Sequence, residues 1–264
     1  MVQKAVPVTK VAIIAAMPAE LKPLTRGWHH QRQNGVDLWR WSFADGEWIA
    51  ACAGAGIQAA TSAFAEVEKT GPIDQVISAG WAGALREDLA LGQALDVSAV
   101  IDTRTGERFL TKRAEVMMVD SSPRSQNRNL GHPGLWLVTN PKVADAHEKL
   151  RLAETYSAAL VDMEASAIAR LAQMRGIPFY CIKGISDGYA DQLPDFNSFI
   201  STNGQFQTLR FILFAISRPW HWPALIRMGE NSRKAARSIA DSLLDLLDKE
   251  GQIRRLNGYP NQKR

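Results

Sequence analysis

Residues 158–188, with the sequence AALVDMEASAIARLAQMRGIPFYCIKGISDG, are the stretch from which the fold of this chain can be predicted. They begin with a short apolar run at 158–161, and apolar residues then recur at helical spacing over 165–174, until a Gly-Ile-Pro sequence ends the helix. A second apolar run occupies 179–185. The pattern predicts a strand, a crossover helix and a second strand parallel to the first, within the roughly 30 residues that such a βαβ unit needs.

Acidic residues follow both predicted strands. Glu164 comes shortly after the first strand, and Asp187 comes close behind the second. Ligands of open α/β sheets bind at the carboxyl ends of the strands, so we expect both carboxylates to face one crevice. One carboxylate in such a position is more often a helix cap or a solvated loop charge. Two of them at matched strand ends favour a chemical role.

The rest of the chain continues the alternation of apolar runs and helical spacing. With 264 residues, of which 46% are hydrophobic, the chain can bury the core of one large domain. We predict an α/β fold, a single domain with a central mixed β-sheet flanked by helices on both faces, over residues 1–250. This domain includes a helical C-terminal extension from about residue 205, and residues 251–264 are predicted to be a disordered tail. Further strands are predicted at 11–16, 36–43, 47–53, 75–79, 94–101, 115–119 and 135–139, helices at 57–69, 142–154, 206–216 and 224–247, and loops at 102–108 and 120–134.

The composition disfavours several classes of protein. The net charge of +4 is modest and no base-reading or stacking motif accompanies the basic residues, so we expect no nucleic-acid partner. The five His and two Cys residues show no metal-ligand spacing, and we predict neither a metal nor another cofactor. Cys52 and Cys181 lie in apolar runs and are predicted to be reduced, buried thiols of a cytoplasmic protein. Residues 1–10 lack the pattern of a signal peptide, and no apolar stretch approaches the roughly 18 residues of a membrane span.

A third acidic residue follows the first predicted strand. The run at 11–16 leads into Met17-Pro18-Ala19-Glu20, where Pro18 suits the first turn of a helix and leaves Glu20 near the helix start. A Glu in the first turn interacts favourably with the helix dipole, and this structural role is the alternative to a catalytic one. Further on, Gly54-Ala55-Gly56 lies between a strand and a helix. It forms either a tight turn or a set of amides that faces an anion or a hydroxyl group.

Two motifs, VDMEASAIA at 161–169 and KGISD at 183–187, resemble the nucleoside phosphorylase-I superfamily. Within it, the pattern is most similar to the methylthioadenosine/S-adenosylhomocysteine nucleosidases, and the resemblance covers roughly residues 10–200. It implies that Met163 and Glu164 hold the ribose hydroxyl groups and that Asp187 donates a proton to N7 of the purine.

The same resemblance implies roles for residues outside the two motifs. Alignment on the Ala-Met pair before Pro18 places the base that activates water at Glu20, and Ser186 is implied to orient Asp187. The turn that contains Gly54 and Gly56 is similar to a turn that lies beside the ribose in the nucleosidases, and these glycines are predicted to bind substrate.

Gly80 and Trp81 are also predicted at the substrate, because they follow the strand at 75–79 where the family has a Gly-Ser-Ala-Gly-Gly loop. Phosphorylases use hydroxyl residues of that loop to hold phosphate. An indole has one donor, no acceptor and a large volume, so Trp81 favours hydrolysis over phosphorolysis. Arg86 lies nearby and leaves phosphate binding open.

These residues suit the cleavage of an N-glycosidic bond, which passes through an oxocarbenium-like ribose. Asp187 would neutralise the departing base, Glu20 would polarise water on the opposite face of the sugar, and Glu164 would stabilise the developing cation. The predicted reaction is hydrolysis of a small-molecule nucleoside, a 5′-modified adenosine of the methylthioadenosine/S-adenosylhomocysteine type, with release of adenine.

Two features depart from the nucleosidases and keep other interpretations open. The segment TNPKV at 139–143 lacks the Phe that stacks on the purine in the family, and the C-terminal part is longer. Together with TGERF at 105–109, they favour a nucleoside phosphorylase of the hopanoid-associated branch, which acts on a lipid-linked adenosine. The third interpretation is a nucleoside-binding protein without activity, against which the retained acidic residues argue.

The C-terminal segment has the composition of a contact surface. Trp220 and Trp222 lie beside Arg218 and His221, before a basic amphipathic helix. Such a segment suits a subunit interface, a lipid–water interface or core packing. We expect a homodimer or a higher homo-oligomer, with peripheral membrane contact through the Trp and Arg residues as the alternative.

Overall fold

The computed structural model describes residues 9–43, 46–112, 135–191, 196–199, 201, 207 and 222–249. Its strands are β1 (Thr9–Ala15), β2 (His29–Gln33), β3 (Val36–Phe43), β4 (Gly46–Cys52), β5 (Gln75–Ala84), β6 (Ala94–Asp96), β7 (Ala99–Asp102), β8 (Arg108–Leu110), β9 (Trp136–Thr139), β10 (Leu160–Asp162) and β11 (Phe179–Asp187). Its helices are α1 (Pro18–Leu21), α2 (Ile57–Glu68), α3 (Ala146–Tyr156), α4 (Ala165–Arg175) and α5 (Trp222–Lys249), with a short 3₁₀ helix at Phe196–Phe199.

The strands form one mixed sheet. In the described ranges its order is β2-β3-β4-β1-β5-β10-β9-β7-β8, and β11 pairs with β5 and β6. β1 runs parallel to both β4 and β5, whereas β3 runs antiparallel to β4. The prediction of a central mixed sheet is confirmed.

Helices cover both faces of this sheet, as the sequence predicted. On one face, Ala12 and Ile14 of β1 belong to the same apolar cluster as Phe64 of α2. On the other face, the alternate residues Val11 and Ile13 share a cluster with side chains of α5. A strand that is buried on both faces has no polar side, and this explains the uninterrupted apolar runs in the sequence.

The predicted parallel pairing of the strands in residues 158–188 is wrong. β5 lies between them, because Gly83 pairs with Val161 of β10 on one side and with Asp187 of β11 on the other. β10 runs antiparallel to β5 and β11 runs parallel to it, so β10 and β11 point in opposite directions. The cause is the length of β5, which continues to Ala84 through the segment after Ala79 that was predicted to be a loop. Its glycines are typical of turns, but here they let neighbouring groups approach the strand closely.

The C-terminal helix α5 is an integral part of the domain. Its prediction at 224–247 is confirmed, and it packs on β11, where a Cβ atom at Gly184 would lie 2.8 Å from the Cβ atom of Ala235. Ala94 of β6 donates its backbone N–H to the hydroxyl group of Ser238 over 2.9 Å, and Leu243 is fully buried. Of the helices that the structure describes, none is long and apolar enough to cross a bilayer.

Most other predicted elements are confirmed, with a few changes at their ends. The predicted strand at 94–101 is two strands, β6 and β7, and the helix predicted from 142 begins only at Ala146, because the Asp145 side chain caps it by accepting the Glu148 N–H over 2.8 Å. β2 was not predicted, because its sequence HHQRQ is polar and mostly exposed. The predictions for 115–119, 120–134, 251–264 and Trp220 lie outside the described residues, and so does the helix predicted at 206–216, apart from residue 207.

Candidate active site

One cavity of about 610 Å³ collects most of the residues that the sequence analysis singled out. Its lining contains the predicted catalytic residues Glu20 and Asp187 and the predicted binding residues Trp81, Met163, Glu164 and Ser186. They come from α1, β5, the segment between β10 and α4, and the end of β11. Carboxylates that lie far apart in the sequence therefore line one cavity, although the strand pairing that predicted this meeting is different.

Glu20 is held at the base of the cavity by two backbone amides. Helix α1 begins with Pro18, and the Met17 N–H donates to Oε2 of Glu20 over 2.7 Å. The N–H of Trp81 donates to the other oxygen, Oε1, also over 2.7 Å. Burial raises the pKa of Glu20 above its ordinary value, and the two amide hydrogen bonds offset part of this effect. The result is a fixed carboxyl group with a raised pKa, which is what a general base near neutral pH requires.

Gly80 allows Glu20 to lie against strand β5. Its φ of +139° is unfavourable for other residues, and an added Cβ atom would lie only 2.8 Å from Oε1 of Glu20. Gly80 is not part of the cavity lining, and neither are Gly54 and Gly56. Direct binding of substrate by these three glycines stays a prediction. In the structure, the N–H of Gly56 donates to Glu164, and Gly80 leaves room for Glu20.

Glu164 is oriented by the amide that opens helix α2. The N–H of Gly56 donates to Oε1 of Glu164 over 2.7 Å, so the anion that this turn faces is a side chain of the protein itself. The second oxygen, Oε2, accepts only a long hydrogen bond of 3.3 Å from the N–H of Met163. It therefore keeps most of its capacity to accept hydrogen bonds. Burial, followed by repulsion from Asp162, raises the pKa of Glu164 to about 8. Glu164 makes no capping bond to α4, so the simple cap interpretation does not apply to it.

Asp162 is the residue that caps helix α4, and sequence reasoning missed its role. One of its oxygens accepts the N–H of Ala165 over 2.9 Å, and the other accepts the hydroxyl group of Thr139 over 2.8 Å. Lys183, buried in the middle of β11, lies 2.9 Å from Asp162. Burial by itself would lower the pKa of Lys183, but the neighbouring carboxylates Asp162 and Glu164 raise it overall. A lysine within the apolar run FYCIKGI was the available signal, since a buried cation needs a partner.

Asp187 is held on both of its oxygens. The hydroxyl group of Ser186 donates to Oδ1 over 2.6 Å, which is the hydrogen bond that the sequence analysis expected. The ammonium group of Lys149, on α3, contacts Oδ2, and it also donates to the carbonyl oxygen of Gly188 over 2.6 Å. Sequence reasoning missed Lys149, although Lys149 and Leu152 lie three residues apart on the buried side of α3.

Trp81 lies in the wall of the cavity between β5 and α5. Its indole N–H donates to the carbonyl oxygen of Ser232 over 3.0 Å. Arg86, the possible phosphate ligand, instead makes a two-pronged contact with the exposed Asp88 and does not line the cavity. Within the described residues, Trp81 is the only aromatic side chain of the lining.

Aliphatic side chains form much of the remaining wall. The segment that lacks the expected Phe contributes Val143 and Ala144, and helix α5 contributes Leu225 and Met228. These α5 residues were not predicted as part of a site, because their position depends on how the C-terminal helix folds back on the sheet. In the described ranges, no group of three or more His, Cys, Asp and Glu residues is arranged to hold a metal ion.

Comparison with known proteins gives consistent results. The sequence model of the Phosphorylase superfamily matches residues 10–211. A 5′-methylthioadenosine/S-adenosylhomocysteine nucleosidase from Shewanella piezotolerans is 25% identical over 224 residues, which cover 77% of this chain and 97% of that protein.

Solved structures share the fold at low identity. The nucleosidase of the same name from Helicobacter pylori superposes with a TM-score of 0.66 at 18% identity, over 92% of this chain and 99% of that chain. The futalosine hydrolase of Helicobacter pylori gives a TM-score of 0.65 at 18% identity, with 92% and 98% covered. The S-adenosylhomocysteine nucleosidase of Streptococcus pyogenes gives 0.66 at 18% identity, with 93% and 98% covered.

Proposed function

Because this chain belongs to the phosphorylase superfamily, we propose that it is a nucleosidase, which hydrolyses the N-glycosidic bond of a 5′-modified adenosine and releases adenine. The observation that carries the proposal is the meeting of the buried residues Glu20, Glu164 and Asp187 at one cavity, each fixed by hydrogen bonds. The name of the relative from Shewanella piezotolerans, a 5′-methylthioadenosine/S-adenosylhomocysteine nucleosidase, supports a substrate of this type.

The proposed mechanism divides the work between the acidic residues. Asp187, oriented by Ser186, gives a proton to N7 of the adenine, so that the base leaves as a neutral group. Glu20 takes a proton from the attacking water. Its two oxygens already accept backbone amides, which fixes the direction of its remaining lone pairs.

Glu164 binds the sugar in this mechanism. Its Oε2 atom has a free lone pair that a ribose hydroxyl group can use, because the N–H of Met163 is 3.3 Å away. The hydroxyl donors favour the ionised form of Glu164, and the carboxylate then faces the developing positive charge of the ribose. Met163 lines the cavity beside it and packs on the sugar.

Hydrolysis is favoured over phosphorolysis by the charges around the water position. The Glu20 carboxylate would repel a phosphate dianion. Trp81 lines the cavity, and by the resemblance to the family it replaces the hydroxyl residue that holds phosphate in the phosphorylases. Arg86 is engaged by Asp88 on the surface and is not available to compensate for that repulsion. A phosphorylase, including one that acts on a lipid-linked adenosine, is the alternative that the assay must exclude.

The test is adenine release from methylthioadenosine and S-adenosylhomocysteine, with and without inorganic phosphate. We expect release without phosphate and a loss of about 10²–10⁴-fold in kcat/KM for Asp187→Asn, the usual contribution of general acid catalysis. Asp88→Asn, on the surface beside Arg86, is the matched control and should keep wild-type activity. Activity that requires phosphate would identify a phosphorylase. Binding of nucleoside without any turnover would identify a binding protein.

We also propose that the enzyme is a cytoplasmic homo-oligomer. Cys52 and Cys181 are free and buried, as in proteins of reducing compartments. Trp222 and Ile226, one turn apart on α5, are 49% and 61% exposed, and we propose that a second copy of the chain covers them.

Replacing Trp222 and Ile226 together by Ala should dissociate the oligomer, as measured by light scattering. The alternative is contact with a membrane through these residues and the exposed Arg227 and Arg233. Co-sedimentation with anionic vesicles that weakens at high salt, with an unchanged oligomeric state, would favour that alternative.

A further inference from the structure

Lys149 is a buried cation for which the proposed mechanism gives no role. It lies on α3, its side chain is only 2% exposed, and its ammonium group contacts Asp187 and the carbonyl oxygen of Gly188. Burying an ammonium group is costly unless it is paired and hydrogen-bonded. A lysine in this place therefore needs a reason, and its partner is the proposed acid.

The surroundings of Asp187 leave its carboxyl group one orientation. Ser186, the neighbouring residue on β11, donates to one oxygen, and Lys149 of helix α3 contacts the other. The backbone of β5 closes a third side, because a Cβ atom at Gly83 would lie 2.9 Å from Oδ2 of Asp187 and 3.1 Å from Cε of Lys149. The pair is thus clamped between α3, β5 and β11.

We infer that Lys149 is a positioning residue for Asp187, which aims the carboxyl group and stabilises the carboxylate that proton transfer leaves behind. The inference rests on the proposed function. In that reaction the proton moves from the Asp187 carboxyl group to N7, and the electron pair of the glycosidic bond moves to the purine. Asp187 is left as a carboxylate against the Lys149 ammonium group, which stays protonated. The interaction is stronger after the transfer than before it, and only such interactions accelerate the chemical step.

The other charged groups of the cavity are unchanged in the variants below. In the described part of the chain, the remaining ionisable residues of the lining are Glu20, Lys22, Lys142, Asp162, Glu164 and Arg233. None of them makes a hydrogen bond or ion pair with Asp187. Because the variants also keep Ser186, a change in the behaviour of Asp187 can be assigned to the loss of Lys149.

The test compares two leaving groups. Lys149→Met should lower kcat for adenine release about 10²-fold, the lower end of a general-acid contribution. On para-nitrophenyl methylthioriboside, whose leaving group needs no proton, the same variant should stay near the wild-type rate. A role in folding alone would reduce both rates equally. Lys69→Met, an exposed lysine on the surface, is the matched control and should change neither rate.

A double variant keeps the test valid if Lys149→Met is unstable, because removing one partner leaves a buried charge. In Lys149→Met/Asp187→Asn both charges are gone, and its activity should equal that of Asp187→Asn alone, because Lys149 acts only through Asp187. Additive losses, equal losses on both leaving groups or an active Lys149→Met would overturn the inference. A wild-type protein that releases no adenine would overturn the proposed function, and this inference with it.

Discussion

Replacing Glu164 by Gln should make the protein more stable at neutral and high pH, and the gain should grow with pH. Glu164 is 8% exposed, and its burial raises its pKa from 4.5 to about 8. Between these two pH values the folded protein holds a proton on Glu164 that the unfolded chain releases. The free energy of unfolding of the wild type therefore falls as the pH rises through this window. Gln has nearly the same shape and never ionises, so the variant avoids this loss.

The size of the effect follows from the shift of the pKa. A change from 4.5 to about 8 corresponds to about 4–5 kcal/mol above the window, at about 1.4 kcal/mol for each unit. One contact opposes the gain. The amide of Gln would point an N–H group at the N–H of Met163, which now donates to Glu164, and this costs about 1 kcal/mol. The expected net gain is roughly 3–4 kcal/mol at high pH, and at low pH the variant should be about 1 kcal/mol less stable than the wild type.

Urea unfolding at pH values from 5 to 9 measures this difference. Only the difference between variant and wild type is used, so that other groups, including Glu20, largely cancel. Glu148→Gln is the matched control. The hydrogen bond from Arg151 lowers the pKa of Glu148 in the folded protein. The contribution of Glu148 to the free energy of unfolding is therefore present above the pKa of the unfolded chain and is constant over this pH range. If the gain of Glu164→Gln is the same at pH 5 and pH 9, Glu164 is not the buried group with the raised pKa, and the reasoning fails.

Three further predictions concern the site and its support. Gly80→Ala should cost about 1–3 kcal/mol of stability in urea unfolding, because the residue has a φ of +139° and its Cβ atom would meet Glu20. Gly184→Ala on β11 should cost a similar amount, about 1–3 kcal/mol, because its Cβ atom would overlap with Ala235 of α5. Gly229→Ala on α5 itself meets no atom within 4 Å and should gain up to about 1 kcal/mol. An equal loss at both glycines would show that α5 does not pack as described. Glu20→Gln should reduce adenine release by about 10²-fold or more, and the wild-type kcat/KM should fall as the pH drops through the raised pKa of Glu20. A rate that stays constant down to pH 4.5 would exclude Glu20 as the base.

Local patterns predicted the elements and the main acidic residues of this chain. Apolar runs identified the core strands because strands covered by helices on both faces have no polar side. Motifs pointed to Glu164 and Asp187, and the Pro that opens α1 placed Glu20 at a helix start, where the structure has it. Each of these signals depends on neighbours in the sequence and can therefore be recognised without the fold.

The pairings between distant segments were decided only by the tertiary structure. The length of β5, and its position between β10 and β11, depend on which strands compete for its edges, and this competition leaves no local pattern. The sequence does not distinguish Lys149 from a surface lysine, and the apolar run around Lys183 indicates that this lysine needs a partner without identifying it. The carboxylate partner of each lysine comes from another element: Lys149 contacts Asp187, 38 residues away, and Lys183 contacts Asp162 on another strand. Burial makes these contacts strong, because water no longer screens the charges, and burial is a property of the folded chain alone.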